Sequence, residues 1–431
     1  MDQPLAVPPP PVDPDLPLAG ALFRREPSGD LLERFLGRRG WHATDVRVLQ
    51  ALYRPGRALT VRFRVQAVSG SGAVRLLTVC LRTRARSVDV VAPSPEFGSR
   101  FGVSDPVEEI DGVTAWVFPY DPVLAGLPDA AHGPTVRDAS DVRRPAAISV
   151  TPLRYRPGQR AAFRYTVAGL GRHRETLYGK VVGDDAFDRI FDAHRSYAKT
   201  GIRMVRPRVA EGLRGVALFP EIGGTCLRDL IESGGALPDP DRLVGLLERL
   251  ARVRWLGAPD LGDAAASIRL SGRLLAHLRP HRYAEIRDAY HELAERAARP
   301  LAETFTVHGD LYEGQIFVDD EFSIGLIDLE DGGPGDPLMD AANMLAHLRV
   351  LHAYAPEAQG RPLAYRVMLR KALLEHLRGG GDEELAWREA LCAMHLATGP
   401  FRVQAPDWPG ETDKRIDEVL ALLHRPAVAA A

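Results

Sequence analysis

A chain of 431 residues is more than one hydrophobic core organises and points to two or three domains. Its 45% hydrophobic and 26% charged residues fit a soluble globular protein, and a formal charge of -2 argues against the basic footprint of a nucleic-acid binder. Three separated cysteines without ligand spacing read as reduced thiols; no basic residue precedes Arg24 and no apolar run approaches the ~18 residues of a membrane span, so the expected location is cytoplasmic, away from nucleic acid and membrane.

The first 20 residues contain seven prolines and few core-forming side chains, so a disordered, extended leader is expected. From Asp30 to Gly40 a capping Asp, apolar residues at helical spacing and a terminal Gly predict a short amphipathic helix. An internal repeat follows. LYRPGRALTVRFRV, beginning at Leu52, and RYRPGQRAAFRYTV, beginning at Arg154, bring YRPG and an alternating strand back 102 positions later. Two Phe-Pro pairs, Phe118-Pro119 and Phe219-Pro220, recur 101 positions apart. Each unit reads as a Pro-Gly hairpin plus a third strand, Arg75 to Leu81 in the first and Glu175 to Val182 in the second. Lys180 lies in the strand of the second unit, where the first offers Leu81 or Cys80. By itself such a lysine is read as snorkelling to water. The turn Arg156 to Arg160 serves equally as a plain hairpin or as a donor of backbone amides and the Arg160 guanidinium to phosphate.

Beyond Gly224 the pattern becomes helical. Asp239 caps a helix begun by Pro240, and further helices are predicted over Ser267 to Leu278, Tyr283 to Ala298, Asp340 to Ala355, Pro362 to Arg378, Glu383 to His395 and Glu411 to His424. Within them lies the stretch that carries the chemistry. Three short apolar runs, Phe305 to Val307, Ile316 to Val318 and Phe322 to Ile327, predict strands that put His308 to Gln315 in a loop and Asp328 at a strand end. Phosphoryl transfer needs a carboxylate to orient the attacking hydroxyl and take its proton, and oxygen ligands for magnesium on the phosphates. Asp310 suits the first task. Gln315 and Asp328 suit the second.

HGDLYEGQ, followed by IDLED and GDPLMD, resembles the catalytic stretch of the aminoglycoside phosphotransferase and choline kinase-like family. The resemblance implies an α+β, protein kinase-like two-lobed fold and ATP with Mg2+ as cofactors. It also implies Asp310 as catalytic base, Gln315 and Asp328 as metal ligands, and His308, Asp336 and Asp340 as supports of the loop. Gln315 departs from the Asn of most members, a feature similar to the maltokinase-like branch. Lys180 then corresponds to the family's phosphate-binding lysine, and Phe219, Glu221 and Ile222 stand where the family has its adenine-binding hinge. The predicted helix Asp185 to Ala198 has no Glu to hold that lysine, which leaves Asp188 or Asp192 as substitutes. Glu330 and Asp331 are read as lining a locally acidic acceptor pocket suited to a cationic or polyhydroxylated molecule.

The expected organisation is a leader (1–20), an N-terminal cap resembling a degenerate copy of the small lobe (21–140), a nucleotide-binding lobe (141–226) and a helical lobe (227–431). The expected activity is ATP-dependent phosphorylation of a small-molecule hydroxyl on an aminoglycoside, aminosugar or sugar-like acceptor. The alternative is a pseudokinase-like nucleotide-binding or scaffold protein. Oligomeric state stays open.

Overall fold

The structure is a computed structural model that describes residues 7–424 except 86–92, 143–144, 170–172, 199, 210–211, 256–263, 302 and 377–380. Helix α1 (Arg25–Gly37) precedes a five-stranded antiparallel sheet of β1 (Trp41–Arg54), β2 (Ala58–Ser69), β3 (Val74–Arg84), β4 (Val107–Ile110) and β5 (Val113–Val117). A second such sheet holds β6 (Ala147–Arg156), β7 (Arg160–Ala168), β8 (Arg174–Val181), β9 (Arg208–Val209) and β10 (Val216–Pro220), with α2 (Asp184–Tyr197) inserted after β8. Their strand orders are the same, 1-2-3-5-4 and 6-7-8-10-9. Alternating burial along β2 and β7 explains why both read clearly as half-buried strands.

The likeness extends below the level of strands. In the second sheet, Asp121 Oδ2 accepts from the Tyr155 hydroxyl at 2.7 Å and from the Gly158 amide at 2.7 Å. In the first, Asp13 Oδ2 accepts from the Tyr53 hydroxyl at 2.6 Å and the Gly56 amide at 2.9 Å. Each YRPG turn is thus clamped by a buried Asp from a Pro-x-Asp-Pro-x-Leu segment, Pro11 to Leu16 or Pro119 to Leu124. Both turn glycines sit at φ 69°, a left-handed conformation that suits glycine.

This clamp corrects the expectation of a disordered leader. Residues 1–6 lie outside the described residues, but Asp13 is buried, and Val7, Leu16 and Ala19 join the core that both sheets share. The register gives Lys180 two counterparts. Lys180 faces Ala162, and Thr60, 102 positions before Ala162, faces Arg82; on the other side Lys180 faces Ala217, and Trp116, 101 positions before Ala217, faces Cys80, one of the two expected residues.

The helical lobe has its own core. It contains α3 (Pro240–Ala251), α4 (Ala264–Leu278), α5 (Tyr283–Ala297), α6 (Pro337–Tyr354), α7 (Arg361–His376), α8 (Asp382–Ala397), α9 (Gly399–Val403) and α10 (Trp408–Leu423). Asp239 caps α3 by accepting from the Asp241 amide, as its sequence implies. The catalytic stretch forms two small sheets rather than one: β11 (Thr225–Cys226) with β13 (Ile316–Val318) and β14 (Ile324–Leu326), and β12 (Phe305–Val307) with β15 (Gly333–Gly335). Sheets followed by a helical lobe give an α+β, protein kinase-like arrangement with an added N-terminal sheet. Among the described residues no helix is long and apolar enough to cross a membrane.

Asp121 also accepts the Val123 and Leu124 amides at 2.8 and 3.1 Å, so removing its carboxylate strands four donors in a buried place. Asp121→Ala is expected to cost roughly 2–3 kcal/mol of stability in denaturant unfolding; a loss near zero would contradict the clamp.

Candidate active site

The loop between β12 and β13 is held by backbone. Asp340, buried on the first turn of α6, accepts the His308 amide at 2.6 Å and the Gly309 amide at 3.0 Å. Burial raises the Asp340 carboxyl, with His308 and the two amides opposing. The His308 ring is fully buried, and its Nε2 lies 2.9 Å from the Ile327 carbonyl oxygen, which ties the loop to the end of β14. Gly309 is required here: its φ is 84°, and a Cβ would stand 2.1 Å from the Asp331 carbonyl oxygen. Asp336 caps α6 through the Leu338 amide at 3.0 Å and also meets the Arg388 guanidinium. The three expected loop supports therefore sit around the loop, with His308 as a positioning group.

Asp310, half-buried, emerges from this frame. Burial raises its carboxyl above the usual range, Asp331 and Asp328 add to that, and His308 and Arg160 oppose it. Gln315, buried in a single turn over Glu313–Gln315, donates from Nε2 to Asp328 Oδ2 at 3.0 Å. That contact leaves the Gln315 carbonyl oxygen as its second polar atom. Asp328 has φ 59° and ψ 48°, a left-handed geometry that carboxylate residues tolerate better than most, and it turns the chain out of β14.

Lys180 crosses from the second sheet to meet these groups. Its Nζ donates to Asp328 Oδ1 at 3.2 Å and is ion-paired with buried Glu330. Burial alone would raise the Asp328 carboxyl, but Lys180, the Gln315 amide and Arg160 hold it below the usual carboxylate value. Neither Asp188 nor Asp192 holds the lysine: Asp192 pairs with Arg195, and the α2 residue whose field reaches Lys180 is His194. Burial, then Lys180, push His194 down to about 4, so it is neutral at pH 7 and adds no competing cation. Helix position alone points to an α2 acid; the partner, Glu330, follows the αL turn at Asp328 and carries no such periodic signal. Glu330 and Asp331 do not make an acidic acceptor wall either, because Glu330 serves Lys180 and Asp331 pairs with Arg160 at 3.5 Å.

Lys180, Arg160, Phe219, Glu221, Ile222 and Asp328 line one cleft of about 370 Å³ between the second sheet and the helical lobe. Phe219 lies 5.5 Å from the His194 ring, and Glu221 accepts from the Tyr178 hydroxyl at 3.1 Å. Among the described residues no group of three or more His, Cys, Asp or Glu has metal-holding geometry. Magnesium, however, usually takes one or two carboxylates and completes its shell with water and phosphate oxygens. Asp328 kept ionised beside a carboxamide fits that modest donor set.

The model of the family described as Phosphotransferase enzyme family matches residues 185–379. No curated protein matches the chain. Among solved structures, a thermostable mutant of aminoglycoside phosphotransferase APH(4)-Ia, in ternary complex with AMP-PNP and hygromycin B, is 15% identical, covers 68% of this chain and 99% of its own, and has a TM-score of 0.45. The choline kinase LicA from Streptococcus pneumoniae is 15% identical over 67% of this chain and 96% of its own, with a TM-score of 0.45. A choline/ethanolamine kinase family protein from Mesorhizobium loti is 18% identical over 64% and 89%, with a TM-score of 0.42. Residues 185–379, which contain most of the helix facing Lys180 and the whole of the HGDLYEGQ to GDPLMD stretch, are similar to the Phosphotransferase enzyme family.

Proposed function

We propose that the protein transfers the γ-phosphoryl group of ATP to a hydroxyl of a small molecule, with Asp310 as base. The observation that carries this reading is that Lys180 and Asp328 meet on the wall of one cleft, with Gln315 buried against Asp328 and Asp328 within the field of Asp310. In this reading Phe219, Glu221 and Ile222 flank the adenine, whose edge takes backbone groups of that segment, and Lys180 and Arg160 draw the phosphates. Asp328 and the Gln315 carbonyl would hold magnesium, which when bound supplies charge neutralisation on the phosphates. Asp310 orients the acceptor hydroxyl and takes its proton as the new oxygen–phosphorus bond forms; the bond to the bridging oxygen breaks and ADP leaves. Lys180 is placed in this reading to offset the charge that grows on that oxygen.

His308 acts through Asp310 by fixing the loop. The family match supports phosphotransfer in general, while an aminoglycoside, aminosugar or other sugar-like acceptor belongs to this proposal. A scaffold without phosphotransfer draws on one contact, Lys180 with Glu330, which occupies the charge otherwise available to phosphate.

Asp310→Asn is expected to lower turnover roughly 100-fold or more while leaving ATP affinity within about twofold of the parent, read by ADP release and calorimetry. Parent-like turnover would remove Asp310 from the role of base. The pH profile follows from the raised Asp310 carboxyl. The base form is lost as pH falls through that raised value, so activity has an acid limb above the ordinary aspartate range. Asp331→Asn deletes one of the charges that raise it, and the limb should move to lower pH; a limb that stays or rises would contradict this.

A further inference from the structure

A second cavity, of about 1020 Å³, lies against the first sheet and is larger than the cleft at Lys180. Its walls carry Arg54 at the end of β1, Arg57 in the first YRPG turn, Arg82 and Arg84 on β3, and Arg402 on α9. Among the described residues Asp15 is the one acidic residue that lines it. Register against the middle strand makes this cavity the counterpart of the nucleotide cleft: Arg82 faces Thr60 as Lys180 faces Ala162. The first sheet thus keeps a cationic concave face, with an arginine for the lysine.

Few counterions reach these guanidinium groups among the described residues: Asp121 acts on Arg82 and Asp310 on Arg402, neither as an ion pair. Among the described residues Arg54, Arg57, Arg82 and Arg402 form no ion pair, and Arg84 donates only to the Thr114 hydroxyl at 3.3 Å. The Arg82 Nε is buried with no hydrogen-bond partner, as is that of Arg156 in the strand beside the second turn. Burial, then neighbouring Arg402, Arg154 and Arg160, push Arg156 down to about 9; burial, then Arg154 and Arg415, lower Arg402 as well. A cluster of partly desolvated like charges is costly to fold, and such costs persist where a ligand uses them. Phosphate and carboxylate groups meet guanidinium in a two-pronged geometry, whereas a polycation would be repelled.

The cavity also borders the catalytic centre. The second YRPG turn divides the two spaces, with Pro157, Gly158 and Gln159 on the cavity side and Arg160 on the cleft side. Arg402, in the cavity wall, lies within the field of Asp310. We infer that the arginine-lined cavity seats the acceptor, and that the acceptor is a small polyhydroxylated molecule carrying phosphate or carboxylate groups. Its role as acceptor rests on the phosphotransfer reading; its binding of anions does not. The acceptor pocket is therefore basic, in place of the acidic one expected from Glu330 and Asp331.

The binding test uses the full-length Asp310→Asn protein saturated with AMP-PNP and magnesium, so that the nucleotide cleft is filled. Glucose 6-phosphate, glucuronate, glucose and kanamycin are titrated by calorimetry. The two anions are expected to bind, glucose and kanamycin at least roughly tenfold more weakly, and Arg82→Gln or Arg402→Gln to weaken the anions by roughly tenfold. AMP-PNP affinity in the same arginine variants reports that they are folded. Binding of neither anion, binding indifferent to both arginines, or tighter binding of kanamycin would overturn the inference. A second measurement follows ADP release by the parent with the same four compounds. Turnover with an anionic compound supports the acceptor role, and turnover confined to glucose or kanamycin overturns it. Anion binding with no turnover by any compound overturns the acceptor role and counts against phosphotransfer, while the anion site stands on its own binding data.

Discussion

The rest of the site depends on one charge cluster, Lys180 against Asp328 and Glu330. Here, as at the neighbouring Arg160–Asp331 pair, the second sheet and the helical lobe meet through ionised groups, and Lys180 lowers the Asp328 carboxyl beside it. Lys180 holds the Asp328 carboxyl low despite burial, which keeps that oxygen an acceptor for the Gln315 amide. The same cluster keeps the Asp328 charge near Asp310, where it adds to the burial that raises the Asp310 carboxyl. Two aspartates eighteen positions apart are thus driven in opposite directions, Asp310 up by burial and Asp328 down, against its burial, by Lys180.

The duplicated sheets put this cluster in context. Both are laid out in one order, and both have an Asp that ties a Tyr and a Gly of the turn. They share a hydrophobic core, with Phe118 packed 5.0 Å from the Tyr155 ring, so the first sheet is built into the molecule rather than tethered to it. We take the pair to be one unit used twice. The second copy faces the catalytic loop with Lys180, and the first faces α9 and the second turn with arginines.

Much of the architecture was legible because it rests on local rules. Alternation marked β2 and β7, an Asp-Pro cap marked α3, and HGDLYEGQ announced a loop whose glycine no other residue can replace. What escaped depends on distant partners. Seven prolines imply an extended leader, yet Asp13 is buried because Tyr53 and Gly56, some forty positions later, supply its donors. Glu330 was assigned to a pocket wall because nothing local reveals that the αL turn at Asp328 swings it toward Lys180. Arg82 carries no signal in the sequence because the lengths of the two hairpins differ, so that its match to Lys180 against the middle strand shows only in the strand register.

The central claim is that Asp328, kept ionised by Lys180 and joined by Gln315, serves a nucleotide through a divalent cation. The most direct measurement is calorimetric ATP binding with and without magnesium, for the parent and for Asp328→Asn. The account predicts that magnesium strengthens ATP binding to the parent by roughly tenfold or more and that Asp328→Asn abolishes this gain. ATP affinity that ignores magnesium, or a magnesium effect that survives the loss of the Asp328 carboxylate, would contradict it.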